Sequence, residues 1–358
     1  MLSTRKRGAE IRQFILENVE KHPVDLISLT AETFGMSRQG VHRHIQSLRK
    51  QKALKIRGTT RNRRYTLRPL AKFLEGYPLN STLEEDRIWR RDIRPVLGDL
   101  PDNVLTIWQH GFTEIMNNAI EHSAGQRVLV SVEKTAIATH MMISDDGQGI
   151  FKKLQRELDL EDERHAVLEL AKGKLTTDPA QHTGEGIFFT SRMFDQFIIL
   201  SGTVSFNHTH GEDEDWIFDD HASHEGTAVF MDLTNTASRT TKEVFDRFTS
   251  GEEYAFTKTV IPVRLAKYGG EQLISRSQAK RLLARIDRFK VVIFEFTGVD
   301  MIGQAFADEV FRVFTEGHPE MELLALKVSP PVEHMIRHVA GERADAILGI
   351  EPSCGAPC

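Results

Sequence analysis

The chain has 358 residues, of which 40% are hydrophobic and 27% charged, and its formal net charge is −5. This length suffices for two or three domains with their own cores, and the composition is that of a globular chain, not a fibrous or disordered one. No apolar run is long enough to span a bilayer, and the start "MLSTRKRGAEIRQF" lacks the apolar middle of a signal peptide; the only cysteines, Cys354 and Cys358, leave no disulfide framework or cysteine-built zinc site.

A cytoplasmic location with no membrane partner is the resulting expectation. The charge is unevenly distributed. Residues 1–72 hold 17 Lys and Arg against 5 Asp and Glu, a net of +12, leaving 29 against 46 for the other 286, a net of −17. A basic amino-terminal module on an acidic body points to a polyanion partner for the first part alone.

In residues 1–68, a helix bearing Leu26, Leu29 and Phe34 meets the turn "GMS". Ser37 then stands where an N-cap belongs, and a second helix runs through Val41, Ile45 and Leu48. This is helix-turn-helix spacing. Arg38, Gln39, His42 and Arg43 fall on the outward, amino-terminal part of the second helix, the part that such modules present to base edges. Next, "LKIRGTTRNRRYTL" reads as two short strands around an arginine-rich turn and resembles the wing of a winged helix, with Arg57, Arg61, Arg63 and Arg64 available to phosphates. DNA is the expected partner; a protein-interaction domain with a solvated basic face is the alternative. Residues 69–84, "PLAKFLEGYPLNSTLE", contain two prolines and a glycine and read as a connector.

The following domain is expected over residues 85–240. In "FTEIMNNAIEHS", Phe112 to Ser123, helical spacing turns Phe112, Ile115, Met116, Ala119 and Ile120 toward a core. Glu114 and Asn118, four apart, emerge together on one side. Taken alone, that side is a solvated polar face. "RVLVSVEK" and "THMMISDDGQGI" then read as a hairpin whose second strand ends at Asp145, followed by Gly147 and Gly149. Spaced glycines let the backbone turn tightly beside a flat ligand. In "HTGEGIFFTSRMFD", Gly184 and Gly186 open a helix whose free N–H groups and dipole suit phosphates. "EGTAVFMDL" places Gly226 and Thr227 at the start of a strand. No Walker P-loop competes, because the pair Gly173-Lys174 is followed by Leu175.

In this order the four elements resemble the GHKL (Bergerat-fold) ATPases, the group of gyrase, Hsp90, MutL, histidine kinases and anti-sigma-factor kinases, over roughly residues 85–235. The resemblance implies an α/β sandwich that binds ATP with Mg²⁺. It implies that Asn118 holds Mg²⁺ against the triphosphate and that Glu114 positions or deprotonates the attacking water. Asp145 would accept a hydrogen bond from the adenine amino group, in a turn shared with Gly147, while Gly149 and Thr227 line the base pocket. Gly184 and Gly186 would cradle phosphates beneath a lid over about residues 151–183, in which Lys172 and Lys174 either touch phosphate or stay solvated. The chemistry is coherent: Mg²⁺ prefers oxygen ligands, and an ionised Asp is acceptor-only. A homodimer formed on lid closure is a further implication.

Residues 250–345 alternate strand and helix, with "VVIFEF" as a buried central strand of a small α/β domain. Over about residues 255–340 they resemble STAS-like domains, best in "FTGVDMIGQAFADEV". In anti-sigma-factor antagonists of that fold, the turn after this strand reads approximately Asp-Ser-Ser-Gly, and a serine there receives phosphate from a GHKL kinase. Here the stretch is Gly303-Gln304-Ala305-Phe306, without a hydroxyl, so that switch does not carry over. Asp308 and Glu309 read as a solvated helix face, a protein partner for this domain is left open, and residues 346–358 read as a flexible tail.

The expectation is thus a multidomain α+β and α/β chain: a winged helix, a GHKL α/β sandwich and a small STAS-like domain. Its function would be that of an ATP-dependent DNA-binding regulator. A serine or histidine kinase acting on a separate partner, and a nucleotide sensor without turnover, are the alternatives.

Overall fold

The computed structural model describes residues 4–59, 62–175, 184–211, 215–250, 255–267 and 272–350. Helix α1 (Thr4–Asn18) brings Ile11, Ile15 and Leu16 to one face. Helices α2 (Leu26–Thr33) and α3 (Arg38–Lys50) pack against it. Ser37 caps α3, its hydroxyl accepting from the Gly40 N–H at 3.2 Å. Strands β1 (Leu54–Arg57) and β2 (Arg64–Leu67) pair antiparallel, Leu54 opposite Leu67 and Arg57 opposite Arg64. Ile15, Leu26, Val41, Ile45, Leu48 and Tyr65 form a separate core, joined by Ala136 and Ile137 from a turn of the next domain.

The expected connector is not one. Ala71–Pro78 is strand β3, paired antiparallel along its whole length with β4 (Arg127–Lys134) at the edge of a five-stranded sheet. Its prolines misled because an edge strand needs only one side of its ladder; Pro78 closes the strand and Pro69 precedes it. Helices α4 (Glu85–Ile88) and α5 (Arg94–Leu97), with a π-helical turn between them, lead to α6 (Asp102–Asn117), which carries straight into a second π-helical turn, Asn118–His122.

Strand β5 (Ala138–Asp145) completes the expected hairpin with β4. It alternates strictly, with Thr139, Met141, Ile143 and Asp145 buried, so Asp145 points inward because it shares the parity of the apolar residues before it. Helices α7 (Ile150–Glu157), α8 (Glu163–Lys172) and α9 (Gly186–Met193) follow, then β6 (Gln196–Thr209) and β7 (Asp215–Thr234). The sheet order is β3-β4-β5-β7-β6, with α6 and α9 packed on each other and burying apolar faces in the same core. Gly226 and Thr227 lie well inside β7, not at its start, near a register shift between Ser201 and Gly202 of β6.

Helix α10 (Thr241–Phe248) and the short strands β8 (Thr249–Ser250) and β9 (Ala255–Phe256) connect to the C-terminal domain. There β10 (Lys258–Pro262), α11 (Arg276–Leu283), β11 (Val291–Glu295), α12 (Gln304–Asp308), α13 (Phe314–Gly317), β12 (Glu322–Leu326), α14 (Pro330–Ala340) and α15 (Ala344–Ile347) succeed one another. The three strands are parallel with β11 in the middle, as expected of a strand whose residues are nearly all buried. The expected tail starts too early: residues through Ile347 are helical and Ile347 is buried, while Cys354 and Cys358 lie outside the described residues. One core runs from the central domain into the C-terminal one. Among the described residues no helix is long and apolar enough to cross a membrane.

Candidate functional site

Glu114, Asn118, Asp145, Gly149, Gly184, Gly186 and Thr227 line one cavity of about 350 Å³. They come from five places: the end of α6 with its π turn, the end of β5, the start of α7, the start of α9, and the middle of β7. The π turn begins at Asn118; such turns are widened spots in a helix that recur at functional sites.

The floor is apolar. Ile143, Val229 and Ile199 face the cavity beside Asp145 and Thr227. The sequence reading missed them, although two are betrayed by parity: Ile143 lies two before Asp145 and Val229 two after Thr227. It also missed Leu170, Leu175, Phe188 and Lys153 in the lining. The Lys153 ammonium donates to the His122 carbonyl at 3.4 Å, so a cation borders the polar side of the cavity.

Asp145 is 9% exposed, and burial raises its carboxyl above the usual range against the lowering pull of backbone N–H groups, those of Gly147 and Thr227 foremost. Both bonds go to the same oxygen: Oδ1 accepts from Gly147 N at 2.9 Å and Thr227 N at 3.3 Å. Among the described residues Oδ2 has no hydrogen-bond partner, which leaves an acceptor open at the cavity floor. The Thr227 hydroxyl accepts from Ile150 N at 3.0 Å and ties β7 to the start of α7.

Gly149 stands at φ 85°, where a side chain is strained, and a Cβ there would come within 2.7 Å of Ser201 Oγ. At Gly186 a Cβ would collide with the Glu114 carboxylate, which therefore sits directly against the first turn of α9. Gly147 departs from expectation. It is not in the lining; its backbone packs on the Ser123 carbonyl with no room for a Cβ, so it shapes the turn that holds Asp145.

Lys172 and Lys174 are also corrected. Lys172 is fully buried with its ammonium on Glu169 and on carbonyls of the C-terminal domain, and Lys174 donates to Arg288 O at 3.0 Å. Neither lines the cavity. Residues 176–183 of the expected lid lie outside the described residues.

In the amino-terminal unit Arg38, Gln39, Arg43, Arg57 and Arg64 are exposed, while His42 and Arg63 are half-buried. His42, Arg63 and Arg64 share a groove with Val24, Ile27, Asn62 and Tyr65, between α3 and the β1–β2 hairpin. Arg61 lies outside the described residues.

Two comparisons bear on these domains. Residues 67–205 match the family model of the histidine kinase-like ATPase domain. Residues 278–332 match that of a STAS-like domain of unknown function. The first match begins ahead of β3, in keeping with that strand's place in the sheet, and it supports ATP binding. No curated protein matches the chain. The architecture is accordingly a multidomain α/β one, with an antiparallel α/β sandwich similar to GHKL-type ATPase domains and a small STAS-like α/β domain behind it.

Proposed function

We propose that the chain is a Mg²⁺-dependent ATP-binding and ATP-hydrolysing regulator that binds DNA through its amino-terminal unit. The observation that carries the nucleotide part is the convergence of residues from five separate places on one cavity, with an open acceptor at its floor and a glycine backbone at its rim. An apolar slot ending in an acceptor fits a purine with an exocyclic amine. Glycines and a helix start fit phosphates. Asn118 would hold Mg²⁺ together with phosphate oxygens, and the metal would supply charge neutralisation there. Glu114 lies one helical turn from Asn118 and is the base or positioning group for water.

Incubating the purified chain with γ-labelled ATP and Mg²⁺ tests this directly. Free labelled phosphate is the expected product. Label retained on protein would favour a kinase, and saturable binding with neither product a sensor.

Three helices followed by an arginine-bearing hairpin support the winged-helix reading of residues 1–68. β5 supports a link between the two activities: Asp145 stands at its cavity end, and Ala136 and Ile137, just before its other end, pack in the amino-terminal core. Nucleotide that binds two arrangements of these units unequally would shift the balance between them. For DNA, the logarithm of affinity is expected to fall with that of salt with a slope of about −0.9 per neutralised phosphate, and Arg64→Ala to reduce the slope by about one. A flat salt response in a fluorescence-anisotropy titration would remove DNA from the proposal.

A further inference from the structure

The wall of the cavity that carries Leu170 and Leu175 is bolted to the C-terminal domain. Lys172, in the last turn of α8, is 1% exposed, and its ammonium donates to Glu169 Oε1 at 2.6 Å, Arg281 O at 3.0 Å and Ala284 O at 2.9 Å. An ammonium has three hydrogens, and two of them cross to the C-terminal domain. The other Glu169 oxygen faces Arg285 Nη1 at 3.5 Å, and His165 Nε2 stands 3.6 Å from the first. Thr259 of β10 donates its hydroxyl to Lys172 O at 2.7 Å. Arg285 Nη2 reaches Leu158 O at 3.1 Å, in the α7–α8 connection. Lys174 and Arg288 exchange bonds: Lys174 Nζ on Arg288 O at 3.0 Å and Arg288 Nη1 on Lys174 O at 2.7 Å.

We propose that the STAS-like domain is the built-in regulator of the nucleotide site, clamping α8 through the Lys172–Glu169–Arg285 cluster and thereby setting how long nucleotide is held. The proposal rests on the nucleotide reading above and adds what controls it. Leu170 lies between Glu169 and Lys172 on the clamped helix, and Leu175 follows Lys174, so the residues that close the cavity are neighbours of those that cross to the other domain. A second route runs in parallel. Phe188, in the cavity wall, packs on Phe256 at 4.7 Å between ring centroids, and Phe256 on Phe289 of the C-terminal domain at 5.2 Å.

The choice of charge matters. Apolar residues of similar volume would hold two domains together as well as a buried ion pair does. Three charges and two carbonyls instead fix one register, and they fail together when one partner leaves. A helix α8 already held by the clamp does not have to be ordered by nucleotide, so clamping strengthens binding. By linkage, nucleotide in turn tightens the hold on the STAS-like domain by the same factor.

The test uses the full chain with Arg285→Asn, at a side chain 29% exposed and a backbone position at φ 57° that Asn tolerates, combined with Arg288→Ala. Two quantities are read: the dissociation rate of a fluorescent ATP analogue after a chase, and hydrogen exchange over residues 163–172. About a tenfold faster release, the scale of an ordinary coupling between sites, together with faster exchange in α8 is expected. Unchanged release from a folded variant overturns the proposal. If the wild-type chain binds no nucleotide, the site reading fails by itself, and unchanged exchange in α8 then overturns the clamp independently.

Discussion

Asp145→Asn lowers the affinity for ATP roughly a hundredfold, the scale of a lost hydrogen bond to a buried charged group. The substitution is nearly isosteric. The amide oxygen can still accept from Gly147 N and Thr227 N, the two bonds that hold the side chain in place. What changes is the other atom: an NH₂ donor replaces Oδ2, the open acceptor, and meets the adenine amino group donor to donor. Flipping the amide would restore the acceptor only by pointing the NH₂ at two backbone N–H groups. Calorimetric titration with ATP reads the effect, and unchanged affinity would remove Asp145 from the site.

Stability separates this from unfolding. Burial raises the folded-state pKa of Asp145 above its unfolded value. The folded chain therefore holds that proton more tightly, and stability falls as pH rises from the unfolded value through the raised one. At neutral pH the neutral amide costs the fold nothing by this route, so binding is lost while the melting temperature holds or rises. In the wild-type chain, ATP affinity should fall as acidification protonates Asp145 through its raised pKa.

What was legible in the sequence was local chemistry with its own spacing. Glu114 and Asn118 share a helix face, Asp145 ends an alternating strand, and Gly184 precedes and Gly186 opens a helix; each can be read within a dozen residues. The apolar floor was harder to read because Ile143, Ile199 and Val229 come from three strands whose neighbours are set by the sheet order, which no local pattern encodes. β3 escaped because an edge strand flanked by prolines shows weak alternation. The error over Lys172 is the most instructive. A lysine among lid residues suggests phosphate, yet two of its three partners are carbonyls more than a hundred residues away, which only the packing of two domains brings within reach.

Glu114→Gln is expected to cut the rate of phosphate release by about 10²–10⁴-fold while ATP binding changes little. The carboxylate lies against Gly186 at the first turn of α9 and lines the same cavity as Asp145. Gln keeps the volume and the contact with Gly186 but cannot take a proton from water. A loss of binding equal to the loss of rate would mean that the residue only holds the ligand. The rate falling alone, in single-turnover measurements of released phosphate, identifies Glu114 as the group that acts on water. The destination of the γ-phosphate matters as much as the rate. The turn at Gly303-Gln304-Ala305-Phe306 presents no hydroxyl, and Gly303 is held tightly against Ile274. At that turn the chain offers no acceptor of the antagonist type, and on the proposed reading water takes the phosphate.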